Sequence, residues 1–121
     1  MKISNAASDS QKIGNRPPPQ RKKDNDLRIC TWNVRTLNTP GATRQLEKIV
    51  DCYKADIIAL QEMRWIGSGM ASRQNTDIYY SGYSSHHYGC GFIVGKKLRQ
   101  RIMDFKPVNE RVATIRIKAQ F

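Results

Sequence analysis

The sequence predicts an α/β or α+β fold with a mixed sheet, and three observations predict it. Between Leu27 and Glu62 an apolar run, an amphipathic helix and a second apolar run succeed one another. That order is a βαβ unit, whose strands should be parallel and joined by a right-handed crossover. Four further strand-like runs complete the chain, and no internal repeat interrupts them.

Each element has its own reason. Leu27, Ile29, Cys30, Trp32 and Val34 form a mostly apolar, β-prone run, as expected of a buried strand. Asn38-Thr39-Pro40-Gly41 breaks the chain, with Thr39 placed to cap a helix and Pro40 suited to its first position. From Ala42 to Ala55, Leu46, Ile49, Val50 and Tyr53 recur at i, i+3, i+4 and i+7, one face of a helix. Ile57-Ile58-Ala59-Leu60 is the second strand and ends in Gln61-Glu62. Gly67 to Thr76, rich in Gly, Ser and Asn, reads as a loop. Strands are then expected at Ile78 to Tyr80, Gly91 to Val94, Ile102 to Phe105 and Val112 to Ile117. In the last of these Val112, Thr114, Arg116 and Lys118 face one way, and Ala113, Ile115 and Ile117 the other. Residues 1–26 contain Pro17-Pro18-Pro19 and almost no large apolar side chain. They read as a disordered basic tail, because ordering them would bury too little to offset the entropy. The folded unit is therefore expected over 27–121.

Charge narrows the partners. The 121 residues carry 21 Lys and Arg against 10 Asp and Glu, a net charge of +11. Of that excess, +8 falls on the part expected to fold. A polyanion such as nucleic acid is the natural partner of such a surface. No run approaches the ~20 apolar residues of a membrane-spanning helix, so no membrane role is expected. Cys30, Cys52 and Cys90 are odd in number and widely spaced, which argues against a disulfide scaffold and for a reducing, intracellular setting. With DNA as partner, the nucleus is expected ahead of the cytoplasm.

Chemistry should gather where the two parallel strands end, since ligands of α/β sheets collect at the carboxyl edge. Asn33 lies near the end of the first strand and Glu62 just past the end of the second. A carboxylate with few protein partners suits Mg²⁺, which keeps several waters and is completed by phosphate oxygens. On spacing alone a solvated or capping Glu is the commoner case. Trp32 and Trp65 are aromatic enough to stack on bases, though packing is the commoner fate. His86, His87 and Cys90 fall short of a zinc site, having no fourth ligand nearby. Lys96, Lys97, Arg99 and Arg101 form the densest basic cluster and are candidates for phosphate contact.

The wording of the motifs adds a resemblance. Leu27-Arg28-Ile29-Cys30-Thr31-Trp32-Asn33-Val34-Arg35 resembles the opening strand of the endonuclease/exonuclease/phosphatase superfamily. Asp56-Ile57-Ile58-Ala59-Leu60-Gln61-Glu62 resembles its second motif at the customary distance. Arg64-Trp65, Tyr79-Tyr80-Ser81-Gly82, Tyr88 through Leu98, and Pro107-Val108-Asn109-Glu110-Arg111-Val112 are similar to one branch. That branch is the apurinic-type endonuclease domain of RTE-like non-LTR retrotransposons and the craniofacial development protein 2-like proteins.

The resemblance implies an α+β four-layer sandwich, of which 27–121 would be the first half. It implies hydrolysis of DNA phosphodiesters by a metal-activated water, with Mg²⁺ or Mn²⁺ as cofactor and no organic one. Glu62 matches the metal-binding glutamate and Asn33 the active-site asparagine. Arg111 matches an arginine near the nucleic-acid face; by their charge, Arg64, Lys96 and Lys97 are further candidates for nucleic-acid contact. The family completes its site with an Asp-x-Asn motif and a late Asp and His beyond the strand ending here at Ile117. The expectation is therefore a part-domain inactive by itself, with any complementing half unknown. Two other functions stay open: a non-catalytic nucleic-acid-binding module, and a phosphatase acting on small phosphoesters.

Overall fold

A computed structural model describes residues 26–35, 37, 40–82 and 88–118. The tail expectation and His86 and His87 lie outside these residues. Five strands form one sheet: β1 (Ile29–Asn33), β2 (Ile57–Gln61), β3 (Ser68–Ser72), β4 (Thr76–Ser81) and β5 (Cys90–Gly95). Their order is β1-β2-β5-β4-β3. β1 and β2 are parallel neighbours, with Asn33 opposite Gln61. Every other pairing in the sheet is antiparallel. β6 (Ile102–Pro107) and β7 (Ala113–Ile117) pair separately as an antiparallel ribbon. The mixed α/β class is as the sequence predicts.

The crossover helix α1 (Ala42–Tyr53) buries Leu46, Ile49, Val50 and Tyr53, the stripe its periodicity marks. They pack on Cys30 and Trp32 of β1, Ile58 and Leu60 of β2, and Ile78 and Ile93 of the antiparallel strands. The opposite face of the sheet presents Ile57 and Val94, which pack with Leu98 against Phe92, Ile102, Ile115 and Ile117. Phe105 of β6 wedges against Tyr79 and Phe92, with ring centroids 5.2 and 6.3 Å apart. Helix, sheet and ribbon therefore stack as three layers, an arrangement compatible with an α/β sandwich. Trp32 is buried, and Trp65 meets Tyr80 edge-on at 5.0 Å, so both indoles pack.

Two expectations need correction. The stretch read as a loop from Gly67 to Thr76 contains β3. Small polar residues hide the strand, and its order comes from the ladder that β4 supplies. Gly69 also leaves room for the Tyr80 ring, whose Oη would lie 3.2 Å from an added Cβ. At the helix start, Pro40 precedes the helix by two residues and the cap position is Gly41, at φ 81°. Thr39 lies outside the described residues.

The helix ends on Lys54, left-handed at φ 53°. Ala55 N–H returns to the Val50 carbonyl at 3.1 Å, closing the last turn. A non-glycine residue there costs about 1–2 kcal/mol, and glycine's greater unfolded-state freedom returns about 0.5–1. Lys54→Gly is therefore expected to stabilise the protein by roughly 0.5–1 kcal/mol, read as a higher urea midpoint at unchanged slope.

Candidate functional site

The carboxyl ends of β1 and β2 open onto a rim made of four short segments laid side by side. Past β1, Val34 N–H donates to the Gln61 carbonyl at 3.0 Å and Leu37 N–H to the Met63 carbonyl at 2.9 Å. Across the other flank, Met63 N–H donates to the Gly89 carbonyl (3.0 Å) and Arg64 N–H to the Tyr88 carbonyl (2.7 Å). Gly89 N–H continues the row to the Glu110 carbonyl at 3.0 Å. Residues 33–35 and 37, 61–64, 88–90 and 109–112 are thus laced into one surface.

That surface is where the backbone is strained. Arg35, Glu62, Arg64 and Tyr88 all have positive φ, between 57° and 61°. The one other non-glycine residue of this kind among those described is Lys54, at the helix end. None of the four is Asn, Asp or Gly, the residues that tolerate this region. Each costs of order 1–3 kcal/mol, and such strain clusters at functional sites. Met63 is the pivot. It is fully buried in the core beneath Gly91, so its neighbours Glu62 and Arg64 turn outward on either side.

The structure brings Asn33 and Glu62 together as the parallel register requires, Glu62 lying one residue beyond Asn33's partner. Asn33 is exposed, and its Oδ1 accepts from Arg35 N–H at 3.1 Å, an Asx turn that shapes the exit of β1. The Glu62 carboxylate is half-buried and accepts no hydrogen bond and forms no ion pair among the described residues. Beside them Thr31 and Gln61 pair through their side chains, Gln61 Nε2 donating to Thr31 Oγ1 at 3.0 Å.

Among the described residues no three His, Cys, Asp or Glu side chains gather as a metal cluster. A single carboxylate on Glu62, without a hydrogen-bond or ion-pair partner among the described residues, does fit Mg²⁺, which takes one or two carboxylates and keeps its waters. It does not fit zinc, which needs three or four close ligands.

Arg111 joins the rim from the turn between β6 and β7, and its guanidinium lies 4.5 Å from the Tyr88 ring centroid. Below it a groove of about 260 Å³ runs between the sheet and the ribbon, lined by Ala59, Gln61, Cys90, Phe92, Arg111 and Val112. Burial, and then the Glu110 charge, push the Cys90 thiol above its usual range, so it stays protonated near neutrality. Arg64 is at the rim and exposed. Lys96 and Lys97 are not there. They follow the end of β5, and β5 runs antiparallel to β2, so they sit at the opposite edge of the sheet. Six residues of strand put about 20 Å between them and the rim. Sequence reading missed Arg35, Tyr88 and Asn109 as rim residues. For Asn109 the available signal was an Asx-forming residue two positions before Arg111.

No family model matches the chain, and no solved structure matches it. Among curated proteins it is similar to craniofacial development protein 2 of Bos taurus, 31% identical over 93 residues, or 76% of this chain. The protein of that name from Tragulus javanicus is similar at the same identity and coverage. The chain spans 16% of the length of these relatives.

Proposed function

Because this chain belongs with the craniofacial development protein 2-like proteins, an endonuclease/exonuclease/phosphatase-related family, we propose that its rim faces a DNA backbone. In this reading it contributes one corner of an Mg²⁺-dependent phosphodiesterase centre. The observation that carries the reading is the clustering of four left-handed, non-glycine residues around one unpartnered carboxylate. Strain of this kind clusters at functional sites, and here a row of backbone hydrogen bonds over the buried Met63 holds it in place.

The chain's own residues divide the work. Glu62 holds negative charge at the strand end, where a cation and a phosphate can share it. Asn33 holds the exit of β1 in place, and the Thr31–Gln61 pair fixes the floor beside it. Arg111 offers a guanidinium to a phosphate oxygen. Mg²⁺, when bound, supplies polarisation of the phosphoryl oxygen and charge stabilisation at the leaving oxygen. Among the described residues no group of three His, Cys, Asp or Glu side chains gathers at Glu62, as a metal centre with its own base would need. Missing a base costs about 10²–10⁴ in rate, and missing a transition-state donor about 10²–10³ more. The described rim is therefore read as a backbone-binding surface expected to show no measurable turnover by itself, which also favours the non-catalytic binding reading.

Fluorescence anisotropy with a labelled duplex, across a salt series, tests this. Binding is expected to weaken linearly in log salt, and Arg111→Ala to flatten the slope by about 0.9, one phosphate contact. The Lys96→Ala/Lys97→Ala double variant should alter binding less than Arg111→Ala does. Absence of binding at low salt, or loss confined to the lysine variant, would defeat the proposal. Mg²⁺-dependent nicking by the pure chain would defeat its non-catalytic part.

A further inference from the structure

Arg111 is held in a way that a solvated surface arginine is not. Its backbone N–H and that of Val112 both donate to Asn109 Oδ1, at 2.8 and 2.9 Å. Val108 N–H and Asn109 N–H converge on the Val112 carbonyl, each at 3.0 Å, closing the turn. Asn109's own carbonyl accepts from Ser81 Oγ at 2.6 Å, and Ser81 is fully buried in β4. The turn is therefore bolted to the sheet. At its other end the guanidinium lies over the Tyr88 ring. Tyr88 in turn is tied through its carbonyl to Arg64 N–H, on the segment that carries Glu62.

What this mount presents is unsatisfied. Arg111 is exposed, and its side-chain N–H groups have no acceptor among the described residues. A stacked guanidinium keeps its edge free, and the planar fork of donors matches two oxygens of a phosphate. The charged groups around it are Glu110 on the same turn, and Arg64 and Glu62 on the adjoining segment.

We infer that Asn109, Ser81 and Tyr88 are positioning residues. They hold the Arg111 guanidinium as a preset fork for a phosphodiester of the nucleic-acid backbone, beside Glu62. The inference rests on reading the rim as a DNA-facing surface. It adds that affinity depends on the mount as well as on the charge. A preset fork spends less side-chain freedom on each hydrogen bond it makes.

The test uses the 121-residue chain and its Tyr88→Leu, Tyr88→Phe, Asn109→Ala, Arg111→Lys and Arg111→Ala variants. Binding of a labelled duplex is read against salt, and the Arg111 Nε–Hε heteronuclear NOE is read without DNA. Tyr88→Leu, which removes the cation–π contact, and Asn109→Ala, which frees the turn that carries the guanidinium to it, are each expected to weaken binding roughly two- to fivefold, the scale of an exposed cation–π contact. Because the charge remains, their salt slope should match wild type. Arg111→Lys should behave like them, Arg111→Ala should also flatten the slope, and Tyr88→Phe should restore wild-type binding. In the free protein the NOE should be high in wild type and Tyr88→Phe, and fall in Tyr88→Leu and Asn109→Ala. Wild-type affinity in both mount variants, with wild type itself binding DNA, overturns the mount and leaves the DNA-facing reading intact. A low NOE in wild type overturns the mount whether or not DNA binds. No DNA binding by a wild type with a high NOE overturns the DNA-facing reading and the fork's assigned ligand, while the mount's rigidity stands.

Discussion

Replacing Gly91 by alanine is expected to cost about 3 kcal/mol or more. Gly91 sits in β5 between two partners, opposite Leu60 of β2 and opposite Tyr80 of β4. A methyl group added there meets the Tyr79 carbonyl of the neighbouring strand and comes within 2.8 Å of Met63 Sδ. Neither neighbour has a cheap retreat. The carbonyl belongs to a central strand, so moving it opens the β4–β5 ladder. Met63 is fully buried, so moving it disturbs the core it fills. Urea unfolding should show a much lower midpoint with little change in slope, the sign of lost stability rather than altered compactness. A loss below about 1 kcal/mol, the ordinary surface range and a little beyond, would mean that the strands beside Gly91 are not so closely spaced. The effect should also reach the rim. Met63 sets the outward turn of Glu62 and Arg64, so their amide resonances should shift even where the variant remains folded.

The opening βαβ unit was legible because its periodicities are strong and one helix face and most of β2 are buried. Leu46, Ile49, Val50 and Tyr53 mark one helix face, and that face is the buried one. β3 was not legible. Ser68 to Ser72 has neither alternation nor β-branched residues, and only pairing with β4 makes it a strand. Position in the sheet was likewise invisible to a linear reading of charge. Lys96 and Lys97 follow Gly91 by only a few residues, yet an antiparallel β5 carries them to the far edge. Glu62 and Asn33 could be placed on one edge from strand direction alone. Their left-handed surroundings could not, since nothing in Arg35, Glu62, Arg64 or Tyr88 announces positive φ. That conformation is imposed by four segments hydrogen-bonding in a row, with Met63 pinned beneath them.

Glu62→Gln is expected to abolish divalent-cation binding at the rim while leaving the fold untouched. Mn²⁺ is the probe, because it broadens amide resonances near it. In wild type the broadening should centre on residues 33, 62–64 and 88–90. The variant should bind at least tenfold more weakly, no less than the 10–100-fold that losing even an outer partner of a metal ligand costs. Its stability should stay within about 0.5 kcal/mol of wild type, since the carboxylate makes no hydrogen bond or ion pair among the described residues. Asn33→Ala should lose less affinity, because Asn33 Oδ1 already serves the Arg35 N–H. An unchanged broadening pattern in Glu62→Gln would remove Glu62 as the ligand. Glu62→Gly then separates function from fold. Glycine relieves the left-handed strain, so this variant should gain roughly 0.5–1 kcal/mol, as Lys54→Gly does, net of glycine's entropic cost. It should nonetheless bind Mn²⁺ no better than Glu62→Gln. A position where the more stable residue is the non-binding one is held by its chemistry, and packing does not account for the glutamate there.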